Sequence, residues 1–340
     1  MNGFIPHVVH DPGEIPRLGD PLVDEYLRFV AARARHNTLL AQTFDLKVFF
    51  TVVGKTPAEV DTSDVFAFSQ AQRLPRNENV VRIADGESGL AASTIKRRLA
   101  SIAGLFSYLG ERGLVGNSPV PQGLTTRAGR SHVREVPLIR SPRRLPRILD
   151  PDEVNALLGA LRSERDRAMV LLMLFGGLRR CEILGLRMAD VHPGERRVFV
   201  SAGKGGHQRI VPVTPAFFTS LGGYLDGERP LDATTDHVFL VLKRPRRGNP
   251  LTAAGLDDIL SGARIRAGLP HATCHELRHT CSTRLRESGM ALEAIQAQAG
   301  HASIESTRIY LHLANDWLVG EYSKAMAILD SIGDAEAEPK

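Results

Sequence analysis

The sequence predicts a mainly α protein in two lobes, a helical bundle followed by a mixed α/β domain with a small antiparallel sheet. Three observations lead there. Apolar residues recur at helical spacing through most of the chain. Its 340 residues exceed the roughly 250–300 at which single cores stop growing. Two short β-rich runs, Arg197–Val200 and Arg209–Val213, flank a glycine-rich turn in the otherwise helical second half.

Taken in order, residues 1–19 are rich in Pro, Gly and polar groups and are expected to form a flexible arm. Asp20-Pro21 suits a helix start, with proline at the first position, and Leu22, Tyr26, Phe29 and Val30 continue at helical spacing. A second helix covers about 38–53, through Leu39, Phe44, Val48 and Phe49. The clearest helix covers about 93–109, with Ser93 as cap and Ile95, Leu99, Ile102, Phe106 and Leu109 as one apolar stripe. Lys96, Arg97 and Arg98 lie at its N-terminal end, mostly off that stripe. Residues 116–148 hold five prolines and no sustained period, and read as an interdomain linker.

Helix resumes where Asp150 can cap and Pro151 takes the first position, with Val154, Leu157, Leu158 and Leu161 on the buried face. An apolar helix over 166–175 ends near Gly176-Gly177. Gly203-Lys204-Gly205-Gly206 then turns the two β-rich runs into a hairpin. Helices dominate after 252, with Gly289 and Gly300 as terminators. The expected boundaries are an arm at 1–19, a helical domain at 20–118, a basic linker at 119–147, a second domain at 148–328 and a frayed tail at 329–340.

The formal charge is +5, with a sequence pI of about 9.3, but the arginines are uneven. Seven lie between Arg127 and Arg147, against one acid, Glu135, and a second cluster is Lys243-Arg244-Pro245-Arg246-Arg247. Such stretches suit a polyanion, since each neutralised phosphate releases counterions. The three cysteines, Cys181, Cys274 and Cys281, sit in helical segments and fit a reducing cytosol better than a disulfide scaffold. No apolar run reaches the roughly 18–20 residues of a membrane span. The first residues lack the basic flank and apolar core of a signal peptide, so the expected location is cytoplasmic, with no membrane partner.

The side chains able to carry chemistry gather in the second half. Arg179 lies in Gly177-Leu178-Arg179-Arg180-Cys181-Glu182, Lys204 in Gly203-Lys204-Gly205, and His275 and Arg278 in His275-Glu276-Leu277-Arg278-His279-Thr280. His301 follows Gly300, and Tyr310 closes Ser306-Thr307-Arg308-Ile309-Tyr310. Two guanidiniums, an ammonium, two imidazoles and a phenol form a kit for breaking a phosphodiester. No metal or other cofactor is required. Attack by an oxygen nucleophile builds charge on the non-bridging oxygens, and fixed cations aimed there are the main lever for a protein without a metal. Arginine grips two phosphate oxygens with its planar fork and stays protonated.

Local context sharpens each choice. Arg179 follows the break of an apolar helix and falls near a new helix start, whose N–H donors also favour anions. His275 and Arg278 are three apart and share a helix face, with Leu277, Cys281 and Leu285 on a different, buried stripe. Lys204 rides on a glycine-flanked turn, from which an ammonium can reach a leaving group. Tyrosine ionises near pH ~10, so Tyr310 needs arginines to favour the phenolate or a histidine to take its proton. A phosphotyrosyl ester would store the bond energy, and exchange could reverse onto a new 5′ hydroxyl without ATP.

In the order Arg, Lys, His-x-x-Arg, His, Tyr, these motifs resemble the tyrosine site-specific recombinases, the phage integrase and Xer-like enzymes, from roughly residue 20 to roughly residue 325. The phrase Ser93-Thr94-Ile95-Lys96-Arg97-Arg98-Leu99 resembles the DNA-clamping helical domain of that family. The resemblance implies two lobes clamping double-stranded DNA, a helical bundle and a catalytic domain, joined by a linker that crosses the duplex. It implies that Arg179 and Arg278 clamp the scissile phosphate, and that His275 is a general base or proton shuttle. Lys204 would be the general acid for the departing 5′ oxygen, His301 a hydrogen-bond donor to the phosphate, and Tyr310 the nucleophile of a 3′-phosphotyrosyl intermediate. Glu182 matches an acidic position that supports the site from behind. Cys181 stands where the family usually has Ser or Gly. Family enzymes work as tetramers on two paired sites, and Leu313, Trp317, Leu318 and Tyr322 could pack on a neighbouring protomer as theirs do.

Three rival readings exist. His275-Glu276-Leu277-Arg278-His279 matches the H-E-x-x-H zinc-protease helix, but a catalytic zinc needs a third protein ligand. Ser282 and Leu285 stand where the metzincin extension wants Gly and His, and Ala299 stands where a gluzincin wants Glu. A type IB topoisomerase would share the chemistry; Gly300-His301 and the short N-terminal helical domain favour the recombinases. A DNA-binding accessory protein on the same scaffold would not need the full set of six side chains.

Overall fold

The structure is a computed structural model of the chain and describes residues 4–9, 13–73, 89–121, 124–125, 135–136, 146–201 and 208–300. The chain divides into two compact units, 1–143 and 144–340.

In the first unit, α1 (Pro21–Arg33), α2 (His36–Val53), α3 (Thr62–Ala71) and α4 (Ala92–Glu111) enclose a core that includes Leu27, Leu46, Phe49, Phe50, Phe68, Ile102 and Phe106. Asp20 caps α1, accepting from the backbone N of Leu22 at 2.9 Å and of Val23 at 3.1 Å. The stripe read along α4 is buried as expected, from Ile95 to Leu109. Its start differs: Ala91 holds the N-cap position without a side-chain bond, and Ser93 lies inside the first turn. The backbone N of Leu90 donates to Gln72 O at 3.0 Å and anchors the chain just upstream.

The segment expected to be an arm is packed over its described residues. Val9 and Arg17 exchange two N–H···O bonds of 3.0 Å, Leu18 is buried, and the Phe4 ring meets Phe50 edge-on with centroids 5.4 Å apart. Phe4, Val8 and Leu18 find the bundle, while Ile5, Val9 and Ile15 stay exposed. The stretch read as a linker also carries structure, an antiparallel pair β1 (Leu124–Thr125) and β2 (Glu135–Val136).

The second unit contains α5 (Pro151–Gly159), α6 (Glu164–Leu174), α7 (Arg180–Leu184), β3 (Val191–His192), β4 (Arg197–Val200), β5 (Arg209–Pro212), α8 (Pro215–Gly227), α9 (Ala253–Arg266), α10 (Cys274–Glu287) and α11 (Leu292–Ala299). Asp150 caps α5 by accepting from Glu153 N at 2.8 Å. From Ala168 to Leu174 the helix α6 is buried on every side, and it packs against α8 and α10. Its first two N–H groups, of Glu164 and Arg165, donate to the carboxylate of distant Glu228 at 2.8 and 3.0 Å. The hairpin strands pair antiparallel as expected, with Val198 opposite Val211 and Val200 opposite Arg209. The two-residue β3 completes the sheet in the order β3-β4-β5. Among the described residues no helix is long and apolar enough to cross a membrane.

The turn at 202–207 with Lys204, and residues 301–340 with His301, Tyr310, Leu313, Trp317, Leu318, Tyr322 and the expected frayed tail, lie outside the described residues.

Candidate active site

Arg179 is the N-cap residue of α7, as the helix break after α6 suggested. Gly177 makes that break possible by taking a left-handed φ of 65°. The Leu178 side chain inserts into the core behind it. Glu182 then closes the helix start: its carboxylate accepts from Arg179 N at 2.8 Å and from Arg179 Nη1 at 2.8 Å.

Glu182 is enclosed, with no side-chain surface exposed. A second guanidinium reaches it from β5, where Arg209 Nη1 and Nη2 donate at 2.9 and 2.8 Å. Burial alone would raise this carboxyl, but the Arg209 bonds and those from Arg179 bring it down to about 2. It is therefore a fixed anion that orients two cations.

Arg278 and His275, read as sharing one face of α10, part in the fold. Arg278 is buried, and its guanidinium donates inward to Gly177 O and Ala299 O. Spacing alone does not separate the two, because a long side chain can turn inward where carbonyls satisfy its charged head. His275, one turn earlier, stays exposed. Partial burial and then the charges of Arg278 and Arg179 lower its pKa, keeping the imidazole neutral near pH 7.

The structure thus brings Arg179, His275 and Arg278 into one electrostatic neighbourhood. The meeting point is the end of α11. Arg209 Nε donates to Gln298 O at 3.0 Å, Arg278 to Ala299 O, and Arg179 Nη2 to Gly300 O at 2.8 Å. Three arginines from three elements cap three consecutive carbonyls, at the negative end of the helix. Gly300 ends α11 in the left-handed region, φ 62°, as its sequence position suggested.

Two residues of this site escaped the sequence reading. Arg209 was seen only as strand, although β5 alternation sets it on the same inward side as buried Val211, opposite exposed Ile210. An inward arginine was the available signal. His279, noticed only within the zinc-helix pattern, has its Nε2 2.8 Å from His275 Nε2, a hydrogen-bonding distance. Among the described residues no group of three His, Cys, Asp or Glu side chains is placed to hold a metal.

The phage integrase family matches residues 147–316, half of the chain and the span within which the six candidate residues fall. The chain belongs to this family. It is a tyrosine site-specific recombinase by descent. Among similar proteins, the tyrosine recombinase XerC of Roseiflexus sp. (strain RS-1) is 31% identical over 308 residues, covering 86% of this chain and 88% of its own. The tyrosine recombinase XerD of Listeria monocytogenes serotype 4b is 29% identical over 309 residues, covering 86% and 94%. In three dimensions the recombinase resembles the Tn1549 transposon integrase, solved in complex with transposon right-end DNA. That match has a TM-score of 0.66 at 19% identity, covering 90% of this chain and 99% of the other. The family assignment favours neither the zinc hydrolase nor the topoisomerase.

Proposed function

We propose that this recombinase cuts and rejoins double-stranded DNA through Tyr310. The Tyr310 oxygen attacks a backbone phosphorus, the bond from phosphorus to the 5′ oxygen breaks, and a 3′-phosphotyrosyl link forms. Arg179 and Arg278 hold the non-bridging oxygens. His275, neutral near pH 7, takes or relays the phenolic proton, and Lys204 gives a proton to the departing oxygen. His301 adds a hydrogen bond to the phosphate. A 5′ hydroxyl from a second duplex then attacks the ester and regenerates tyrosine, so neither ATP nor a metal takes part.

The observation that carries this reading is the convergence of Arg179 and Arg278 on the adjacent carbonyls of Gly300 and Ala299. That aims two permanent cations at the point from which the His301 and Tyr310 segment departs. The helical domain at 20–118 and the catalytic domain at 148–328 serve as two halves of a clamp, with the basic stretch at 119–147 on the DNA backbone. Four copies assemble on two paired sites, in the cytoplasm.

The test is covalent capture. A pool of duplexes with a randomised core and a nick, from which cleavage releases a short fragment, is incubated with the protein. Adducts are recovered after denaturation, sequenced and mapped by mass spectrometry. The expected result is a DNA adduct on Tyr310, with Tyr310→Phe binding the captured duplex yet forming no adduct. An adduct on another residue, or one that persists in Tyr310→Phe, defeats the nucleophile assignment.

A further inference from the structure

We infer that Arg209 is a positioning residue of this site, one that keeps the Arg179 region net positive and fixes the end of α11 beside it. The inference rests on the reading of Arg179 as a phosphate grip.

Charge comes first. Arg179 and Glu182 alone would form a neutral pair, because the enclosed carboxylate takes both a side-chain and a backbone bond from Arg179. Arg209 adds a second positive charge with a two-pronged grip on the same carboxylate. Two cations and one anion leave one positive charge, which a phosphodiester can then neutralise. Side-chain exposure is 21% for Arg179 and 10% for Arg209. Arg179 is thus the member with surface left to meet a ligand, and Arg209 acts from behind.

Geometry comes second. The third nitrogen of the Arg209 guanidinium, Nε, donates to Gln298 O, so one planar group joins α7 to the end of α11. The approach is close at Gly300: a Cβ there would lie 2.9–3.0 Å from three atoms of the Arg209 guanidinium and would displace it. Arg209 also forms, with Val200, the last paired rung of the β4–β5 ladder on the side nearer Lys204 in the sequence. A single side chain therefore ties together the strand leading from Lys204, the Glu182–Arg179 cap and the glycine preceding His301.

The experiment uses the full chain and the duplex captured above, measuring single-turnover cleavage at saturating protein separately from duplex affinity. Arg209→Gln is expected to cut about 100-fold more slowly with affinity changed less than about 3-fold. Arg209→Lys, which keeps the charge but loses the fork, is expected within about 10-fold of the unmodified protein. The decisive variant joins Arg209→Gln to Glu182→Gln. Removing both partner charges leaves Arg179 positive again, and cleavage is expected to recover at least about 10-fold over Arg209→Gln alone. A purely structural brace would be damaged further, not rescued.

Cleavage by Arg209→Gln within about 3-fold of the unmodified protein, or a double variant no faster than Arg209→Gln, overturns the inference. If Arg209→Gln does not fold, the double variant is compared with the unmodified protein instead. A rate within about 10-fold supports the inference, and a slower one overturns it. Arg179→Ala runs alongside. Full cleavage by Arg179→Ala sinks the phosphate reading itself. Its loss beside a fully active Arg209→Gln sinks only the role of Arg209.

Discussion

Each unit hides one carboxylate that gathers two arginines, and the two arrangements do different work. In the first unit Asp45 of α2 receives Arg97, Arg98 and the Ser101 hydroxyl, at 2.9 Å for the serine, all from the single helix α4. Arg97 stays half in solvent, 51% exposed. In the second unit Glu182 receives Arg179 and Arg209 from separate elements, and both guanidiniums continue to the end of α11. Asp45 steadies a cation at the surface of one helix. Glu182 joins α7 to β5 and, through its two arginines, to the end of α11, whereas Asp45 joins only α2 to α4, so the loss of Glu182 spreads further.

That contrast predicts the largest effect. Glu182→Ala strands two largely buried guanidiniums and is expected to cost about 3–5 kcal/mol in the second unit. Asp45→Ala leaves Arg97 its water and is expected to cost about 1–3 kcal/mol in the first. Hydrogen exchange of core amides reads the units separately. Equal losses at the two sites would remove the distinction.

The helix ends sharpen it next. Gly54, which closes α2, and Gly300, which closes α11, both take left-handed φ values, 67° and 62°. A Cβ at Gly54 meets nothing within 4 Å, whereas one at Gly300 meets Arg209. Gly54→Ala is expected to cost about 1–2 kcal/mol, the backbone penalty alone. Gly300→Ala adds displacement of a guanidinium fixed at both edges and should cost about 1–3 kcal/mol more. Thermal or chemical denaturation of the pair checks this.

A smaller effect comes with acid. The Glu182 carboxyl stays ionised in the fold down to about 2, against a usual 4.5. The unfolded chain binds that proton first. The stability it supplies is therefore complete above pH 4.5 and is lost as pH falls through about 2. Core amides of the second unit should lose protection between about pH 4.5 and pH 2, and at higher pH in Arg209→Gln, where the carboxyl has fewer donors.

What the sequence disclosed follows the range of the forces involved. Asp20 and Asp150 were legible as caps because capping is settled within four residues. Gly177 and Gly300 were legible as breaks for the same reason. The expected cap at Ser93 failed because the bond from Leu90 to Gln72, a residue well upstream in the sequence, sets where the chain enters α4. The inward turn of Arg278 was illegible, since its acceptors are the carbonyls of Gly177 and Ala299, and charge by itself suggests solvent. Arg209 was hidden for the same cause: its partners lie at 182 and 298. The family motifs marked the side chains proposed to meet a phosphate, and gave no role to Arg209, proposed to brace them.

The all-round burial of α6 reaches beyond the finished fold. Its covers, α8 and α10, are made after it, and the carboxylate that completes its first turn belongs to Glu228. During translation the apolar second half of α6 gains α8 as its first cover and stays open on its α10 side until the chain through α10 has left the ribosome. A nascent chain arrested before α10 should aggregate or hold a chaperone, while one released after it should not. The second unit is thus committed to folding late, nearly all at once, and its assembly is most vulnerable to a stalled ribosome.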